Sequence, residues 1–188
     1  MKKIVFITGN NYKFEVAKKA LSDVPVILIR KKIETPEIQS TQVSEIAAFS
    51  AKWAADKLNQ PVFLTDAGYY ITALNGFPGP FIKFANSWLT ATDYLNLMKG
   101  KQNREVITKD CIAYCEPHKL PRTFCGEFKG TIALKPGIKG NSPLDEIFIP
   151  EGFDKVDSDI PRELMVDFWS KKGTYWADFA KFLRNLTK

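Results

Sequence analysis

The chain has 188 residues, 45% hydrophobic and 26% charged, a composition that suits one folded domain with a sizeable core and excludes a disordered or low-complexity chain. Its formal charge is +6, but acids are interspersed and the basic clusters, such as Arg30-Lys31-Lys32 and Lys171-Lys172, are short, so anionic small molecules fit and a nucleic-acid partner is not expected. No apolar run approaches the roughly 18 residues of a membrane span, and MKKIVFITGN is too short in apolar residues for a secretory core, which predicts a soluble cytoplasmic protein with no membrane partner.

In chain order, residues 3–8 read as a strand, 12–22 as a helix with Phe14, Ala17, Ala20 and Leu21 on one side, and 24–30 as a second strand. This is a β-α-β opening. TPEIQST is an extended loop that leads into a helix from Ser44, whose predicted buried stripe is Ile46, Phe49, Trp53 and Ala54. PVFLTDAG, 61–68, reads as a buried strand ending in a polar turn, and ALNGFPGPFIKF carries two turn signals, Asn-Gly and Pro-Gly, before a helix over 91–99. REVITKDCIAYCE, RTFCGEFKG and TIALK read as two or three meandering strands, with DEIFIP as another. Tyr175, Phe179, Phe182, Leu183 and Leu186 mark a core-facing C-terminal helix. The expectation is a single α/β domain over 1–188 with a β-rich lobe at about 105–150.

Cys111, Cys115, His118 and Cys125 could be written as a zinc quartet, but a strand at about 3.3 Å per residue separates Cys111 from Cys115 by roughly 13 Å, too far for one tetrahedral ion. Buried free thiols are the expectation, with His118 a solvated turn residue.

The chemistry points first to the strand-to-helix junction. A strand stopping at Thr8-Gly9-Asn10 and feeding a helix is expected to present free backbone N–H groups, which suit a phosphate, and Lys13 adds a full positive charge. Gly9 lets a ligand approach the backbone. The spacing is neither a P-loop nor a dinucleotide fingerprint. Asp66, beside Gly68, is a strand-end carboxylate of the kind that holds a metal, and Glu37 lies in the TPEIQ loop; Mg²⁺ takes one or two carboxylates together with substrate phosphates.

The segments TGNNYK, TPEIQST, FSAKW, TDAG, ALNGFPGPFIKF and LDEIFIPEGF, in this order, resemble the inosine triphosphate pyrophosphatase family over essentially the whole chain. The resemblance implies an elongated mixed β-sheet with flanking helices, two lobes around a central cleft, a homodimer, and Mg²⁺-dependent cleavage of a nucleoside triphosphate to monophosphate and pyrophosphate. By the same resemblance Asp66 and Lys13 are catalytic. Thr8, Gly9, Asn10, Lys13, Lys52, Asp145, Ser170 and Lys172 bind substrate, while Glu37 and Asp66 hold the metal.

The chain also departs from that family. Val16 stands where a glutamate is usual, with Glu15 facing about 200° away from Lys13 on the helix. Thr65-Asp66-Ala67 replaces two adjacent acids followed by a hydroxyl. Ser142-Pro143-Leu144-Asp145-Glu146 keeps an aspartate but lacks the aromatic groups that would stack on a purine, and Ser170-Lys171-Lys172 stands for Ser-His-Arg. Trp169, Tyr175 and Trp176 are read as core, with a replacement stacking platform as the alternative. These departures predict altered base specificity; the competing reading is a catalytically weak nucleotide-binding or regulatory protein that keeps the fold.

Overall fold

The computed structural model describes residues 1–186. The chain runs β1 (Lys2–Ile7), α1 (Asn11–Ala20), β2 (Val26–Lys31), α2 (Val43–Leu58), β3 (Val62–Ile71), β4 (Pro78–Gly79), α3 (Ile82–Trp88), α4 (Ala91–Leu97), β5 (Glu105–Cys115), β6 (Arg122–Ile132), β7 (Phe148–Pro150), α5 (Arg162–Lys171) and α6 (Tyr175–Leu186). The fold is mixed α/β. Its sheet has the order β2-β1-β3-β5-β6-β7, with β4 paired to β3. Strand β1 is parallel to both β2 and β3, as a β-α-β opening requires, whereas β4 and β7 pair antiparallel with β3 and β6.

The chain divides into two compact units. The first contains Met1–Asp66, Asp110–Gly126 and the chain from Val166; the second contains Ala67–Lys109 and Glu127–Met165. In the first unit, Phe6 stacks on Phe63 at 4.4 Å, and Phe179 of α6 packs 5.0 Å from Phe63 and 5.3 Å from Phe124. Of the predicted C-terminal stripe, Tyr175, Phe179 and Leu183 are buried core, while Phe182 and Leu186 are half-buried. Helix α2 differs from the expectation. Its buried face is Ile46, Ala47, Ser50, Ala51, Ala54 and Ala55, while Phe49 is exposed and Trp53 half-buried beneath the Lys57 ammonium. At 100° per residue Phe49 lies about 200° from Ala47, so small residues set a close approach and the large rings fall outside it.

Strand β3 does not stop at Gly68. It continues to Ile71 because β4 folds back onto it, pairing Tyr69 with Gly79 and Tyr70 with Pro78. A Cβ on Gly68 would meet the Gly79 carbonyl oxygen at 3.0 Å. That glycine serves close backbone approach within a strand, rather than a turn. The return itself uses left-handed Asn75 (φ 53°) and Gly76 (φ 87°), where the Asn-Gly signal stands. TIALK is not a separate strand, since Thr131 and Ile132 complete β6, and DEIFIP contributes only Phe148–Pro150. In the second unit Phe148 is fully buried and packs edge-on to Tyr69 at 5.1 Å.

The cysteines correct the expectation of free thiols. Cys111 on β5 and Cys125 on β6, 14 residues apart, form a disulfide, and Cys115 alone is a buried free thiol. Neighbouring strands bring the pair together with Cα atoms 4.1 Å apart, a register invisible in the one-dimensional spacing. His118 is an exposed turn residue at φ 60°, and its backbone N–H donates to Asp56 Oδ1 at 2.7 Å. Among the described residues no helix is long and apolar enough to cross a membrane.

Candidate functional site

The junction after β1 is built by its own side chains. Thr8 Oγ1 accepts from Asn10 N–H at 3.1 Å, and Asn10 Oδ1 accepts from the backbone N–H groups of Tyr12 (2.8 Å) and Lys13 (3.3 Å), an N-cap of α1. The expected free N–H groups are thus largely engaged from within. The sequence reading also missed Arg30. Its guanidinium donates to the Thr8 carbonyl at 3.2 Å, to the Gly9 carbonyl at 2.6 Å and to Asn11 Oδ1, clamping the turn from β2 and leaving a full positive charge beside it. The Lys32 side chain lies 3.4 Å from where a Gly9 Cβ would sit. The signal available in advance was the Arg30-Lys31-Lys32 cluster at the end of a strand parallel to β1.

Lys13 points from the first turn of α1 to β3, where its Nζ donates to the Thr65 carbonyl at 3.0 Å. Asp66, the next residue, is half-buried within the strand. The neighbouring strand β5 supplies Asp110, which the sequence reading did not single out. Burial pushes the Asp110 carboxyl up to about 7, the Lys13 ammonium pulls it down, and the Asp66 charge raises it further. Tyr175 of α6 is buried beside this group; burial raises its hydroxyl pKa, with the Asp110 charge adding to the effect. Lys13, Asp66, Asp110 and Tyr175 thus form one electrostatic cluster inside the first unit.

The other nominated residues have different surroundings. Glu37 is exposed on the loop between β2 and α2, and that loop is tied down by Ser50 Oγ donating to the Pro36 carbonyl at 3.3 Å. Lys52 is exposed on α2 and pairs with Asp56 one turn on at 3.0 Å. The Asp56 carboxyl is held below its usual range by the His118 backbone N–H and then by Lys52. Ser170 is buried and donates to the Asp167 carbonyl at 2.8 Å, while the Lys172 ammonium lies 5.1 Å over the Phe168 ring. In the second unit Asp145 caps its own loop, accepting from Ser142 N–H at 2.9 Å; burial raises its carboxyl pKa although the Ser142 contacts oppose the rise. Trp169, Tyr175 and Trp176 are buried as core. Val16 is buried and Glu15 exposed, so neither adds an acid beside Lys13.

Among the described residues no group of three or more His, Cys, Asp or Glu side chains forms a metal cage. The Thr65 carbonyl that holds Lys13 and the Asp66 carboxylate that follows it in the chain are hard oxygen donors of the type Mg²⁺ takes together with substrate phosphates.

The Ham1 family model matches residues 4–165. The chain belongs to the Ham1 family. The resemblance carried by TGNNYK through LDEIFIPEGF is thereby borne out. Ham1 relatives include a dITP/XTP pyrophosphatase of Methanopyrus kandleri, 39% identical over 86% of each chain. Another, from Thermococcus kodakarensis, is 33% identical over 99% of this chain and all of its own. Among solved structures, a HAM1 protein from Coxiella burnetii superposes with TM-score 0.79 at 22% identity, covering 98% of this chain and 100% of that one. The Staphylococcus aureus Ham1 protein gives 0.74 at 23%, covering 99% and 98%. These neighbours share the mixed α/β fold. The Ham1 match takes in Lys13, Arg30, Glu37, Lys52, Asp66, Asp110 and Asp145 and ends before Ser170 and Lys172.

Proposed function

We propose that this Ham1 chain is a Mg²⁺-dependent nucleoside triphosphate pyrophosphatase acting on non-standard purine nucleotides of the dITP/XTP kind, with base preference altered by its own substitutions. The reading is supported above all by one contact: the Lys13 ammonium, carried by the capped first turn of α1, is fixed on the Thr65 carbonyl of β3, the residue before Asp66. Relatives named dITP/XTP pyrophosphatase over most of the chain supply the substrate class.

In this reading water attacks the α-phosphorus, the bond from that phosphorus to the bridging oxygen breaks, and pyrophosphate leaves with the bridging electron pair. Asp66 orients the water and takes its proton. Lys13 and Lys52 neutralise the phosphate chain, and Thr8, Gly9 and Asn10 shape the turn against it. Ser170 and Lys172 are the remaining substrate-binding residues of the first unit, and Asp145 is the candidate in the second. Glu37 and Asp66 would hold Mg²⁺, which when bound supplies charge neutralisation of the polyphosphate.

A homodimer is part of the proposal, and the exposed rings Phe81, Phe84 and Trp88 on and beside α3, the last 76% exposed, support an apolar contact there. Sedimentation of the full chain tests it: a monomer at all concentrations rejects the dimer.

The decisive experiment is turnover of dITP, XTP, ITP and the standard triphosphates with Mg²⁺ or Mn²⁺, read as pyrophosphate release. Release from at least one is expected. Tight nucleotide binding with no turnover on any would reject the enzyme and leave a nucleotide-binding protein that keeps the fold.

A further inference from the structure

The second unit holds an open recess of about 550 Å³, and none of the candidate residues above lines it. One wall is the chain leaving α4. Gly100, left-handed at φ 75°, turns the backbone, and the Lys101 N–H donates to the Met98 carbonyl at 3.1 Å, so Lys99 and Lys101 stand on either side of one tight turn. Arg104 then reaches across to the end of β6, its Nε–H donating to the Ile132 carbonyl at 2.7 Å and its Nη2 to the Ala133 carbonyl at 2.6 Å. These bonds fix the guanidinium and leave its other N–H donors unspent.

Lys99, Lys101 and Arg104 bring three cations to the recess, and no carboxylate lines it among the described residues. Glu105, beside Arg104 in the chain, faces Lys129 at 3.9 Å. Lys99 and Lys101 are exposed, with no ion-pair partner among the described residues. The same recess carries apolar surface: buried Met98, half-buried Leu95, and Leu134, which is 83% exposed. A guanidinium fork held in place suits the oxygens of a phosphoryl group, two unpaired ammonium groups add to its field, and a leucine left in water gains by being covered. The volume lies in the range of about 300–1,000 Å³ typical of small-molecule pockets.

We propose that this recess is a second anion site, which takes a small phosphorylated molecule bearing an apolar or ring portion. The phosphoryl group sits on Arg104, Lys99 and Lys101, and the apolar portion lies against Leu95 and Leu134. The site does not rest on the function proposed above.

The test is titration of the isotope-labelled full chain with phenyl phosphate at neutral pH and low salt, followed by amide chemical shifts. Saturable shifts at residues 95–104 and at Leu134 are expected, with inorganic phosphate binding about tenfold more weakly for want of the ring. Lys99→Gln and Lys101→Gln, on an exposed turn, should each weaken phenyl phosphate about fivefold. Arg104→Lys, which keeps the charge and loses the fork, should weaken it by about as much; the lysine variants leave the bonds to Ile132 and Ala133 untouched. Shifts confined to residues 8–13 would put the anion at the start of α1 and overturn the second site, as would the absence of saturable shifts up to about 10 mM or unchanged affinity in both lysine variants. Inorganic phosphate binding as tightly as phenyl phosphate would overturn the apolar contact. A glutamate-rich peptide that moves the 95–104 amides where phenyl phosphate does not would replace the small molecule with a protein partner and equally sink the proposal.

Discussion

Asp110→Asn is expected to stabilise the metal-free protein, and to do so increasingly as pH rises. The carboxyl is pushed from its usual 3.8 up to about 7, first by burial and then by the Asp66 charge, with Lys13 offsetting part of the rise. A folded state that holds a proton more tightly than the unfolded chain loses stability on ionisation. The loss is absent below about pH 3.8, grows between about 3.8 and 7, and is constant above. A gap of about three pK units corresponds to roughly 4 kcal/mol at about 1.4 kcal/mol per unit. The asparagine amide keeps a desolvation cost of its own, so the net gain is about 1–3 kcal/mol at alkaline pH, or roughly 2–12 °C in Tm for a chain of this length. Urea unfolding of both proteins in EDTA, near pH 4.5 and near pH 8, checks it. A variant level with or below wild type near pH 4.5 and above it near pH 8 is the expected result. A variant no more stable than wild type near pH 8, or a difference independent of pH, would show that Asp110 is not held as a strained carboxylate.

Asp66→Asn should lower kcat for whichever triphosphate is turned over by about 10²–10³-fold, with the far-ultraviolet spectrum unchanged, since an amide can neither take the proton of water nor hold a cation well. Glu116 accepts from Lys2 at 3.1 Å, from Tyr114 at 3.0 Å and from Lys119, and is drawn down to about 2 by Lys119 first and Lys2 next. Its stabilisation is full above about pH 4.5 and disappears as pH falls through about 2. Glu116→Gln should therefore cost about 1–2 kcal/mol at neutral pH, with a difference in urea midpoint that shrinks steadily in acid. Thiol titration of the denatured protein should find one reactive cysteine before reduction and three after it. Cys125→Ser should lower stability by about 1–3 kcal/mol, the order expected for opening a loop of this length.

The parts legible in the sequence are those governed by local physics. Apolar runs broken at Thr8-Gly9-Asn10 and a helical repeat after them fix β1 and α1, and the α6 stripe follows from its spacing. Where longer-range pairing decides, local pattern misleads. Thr65-Asp66-Ala67-Gly68 has the composition of a turn, yet β4 returning from residues 78–79 keeps it in a strand. Phe49 and Trp53 are large enough to look like core, yet the buried face of α2 is the alanine one. Cys111 and Cys125 meet only because β5 and β6 are neighbours in the sheet. Asp110 was passed over for the same reason. In KDCIAYC it is one acid at the start of a buried run, and its meaning comes from β3 alongside and α1 across, relations of residues 44 and 97 positions away that no spacing rule carries.

The engaged amides of the first helix also change how an anion can be recognised. A helix start attracts phosphate through N–H groups that its own chain leaves open, but Asn10, Tyr12 and Lys13 already donate to Thr8 and Asn10. Recognition there falls to full charges: Lys13, the Arg30 guanidinium clamped on the turn, and Lys32 against Gly9. Point charges read a polyphosphate without regard to its base. Base preference must then come from elsewhere, and the buried Trp169, Tyr175 and Trp176 are committed to the core. Under the proposed function, Lys172 over the half-exposed Phe168 ring is one group in the first unit expected to contribute to that preference. Affinity for the phosphates and choice of base are then expected to be separable under that function. Substitution of Arg30 should raise KM by a similar factor for every triphosphate, whereas substitution of Lys172 should reorder the triphosphates by kcat/KM; an Arg30→Ala variant that changed their order would contradict the division.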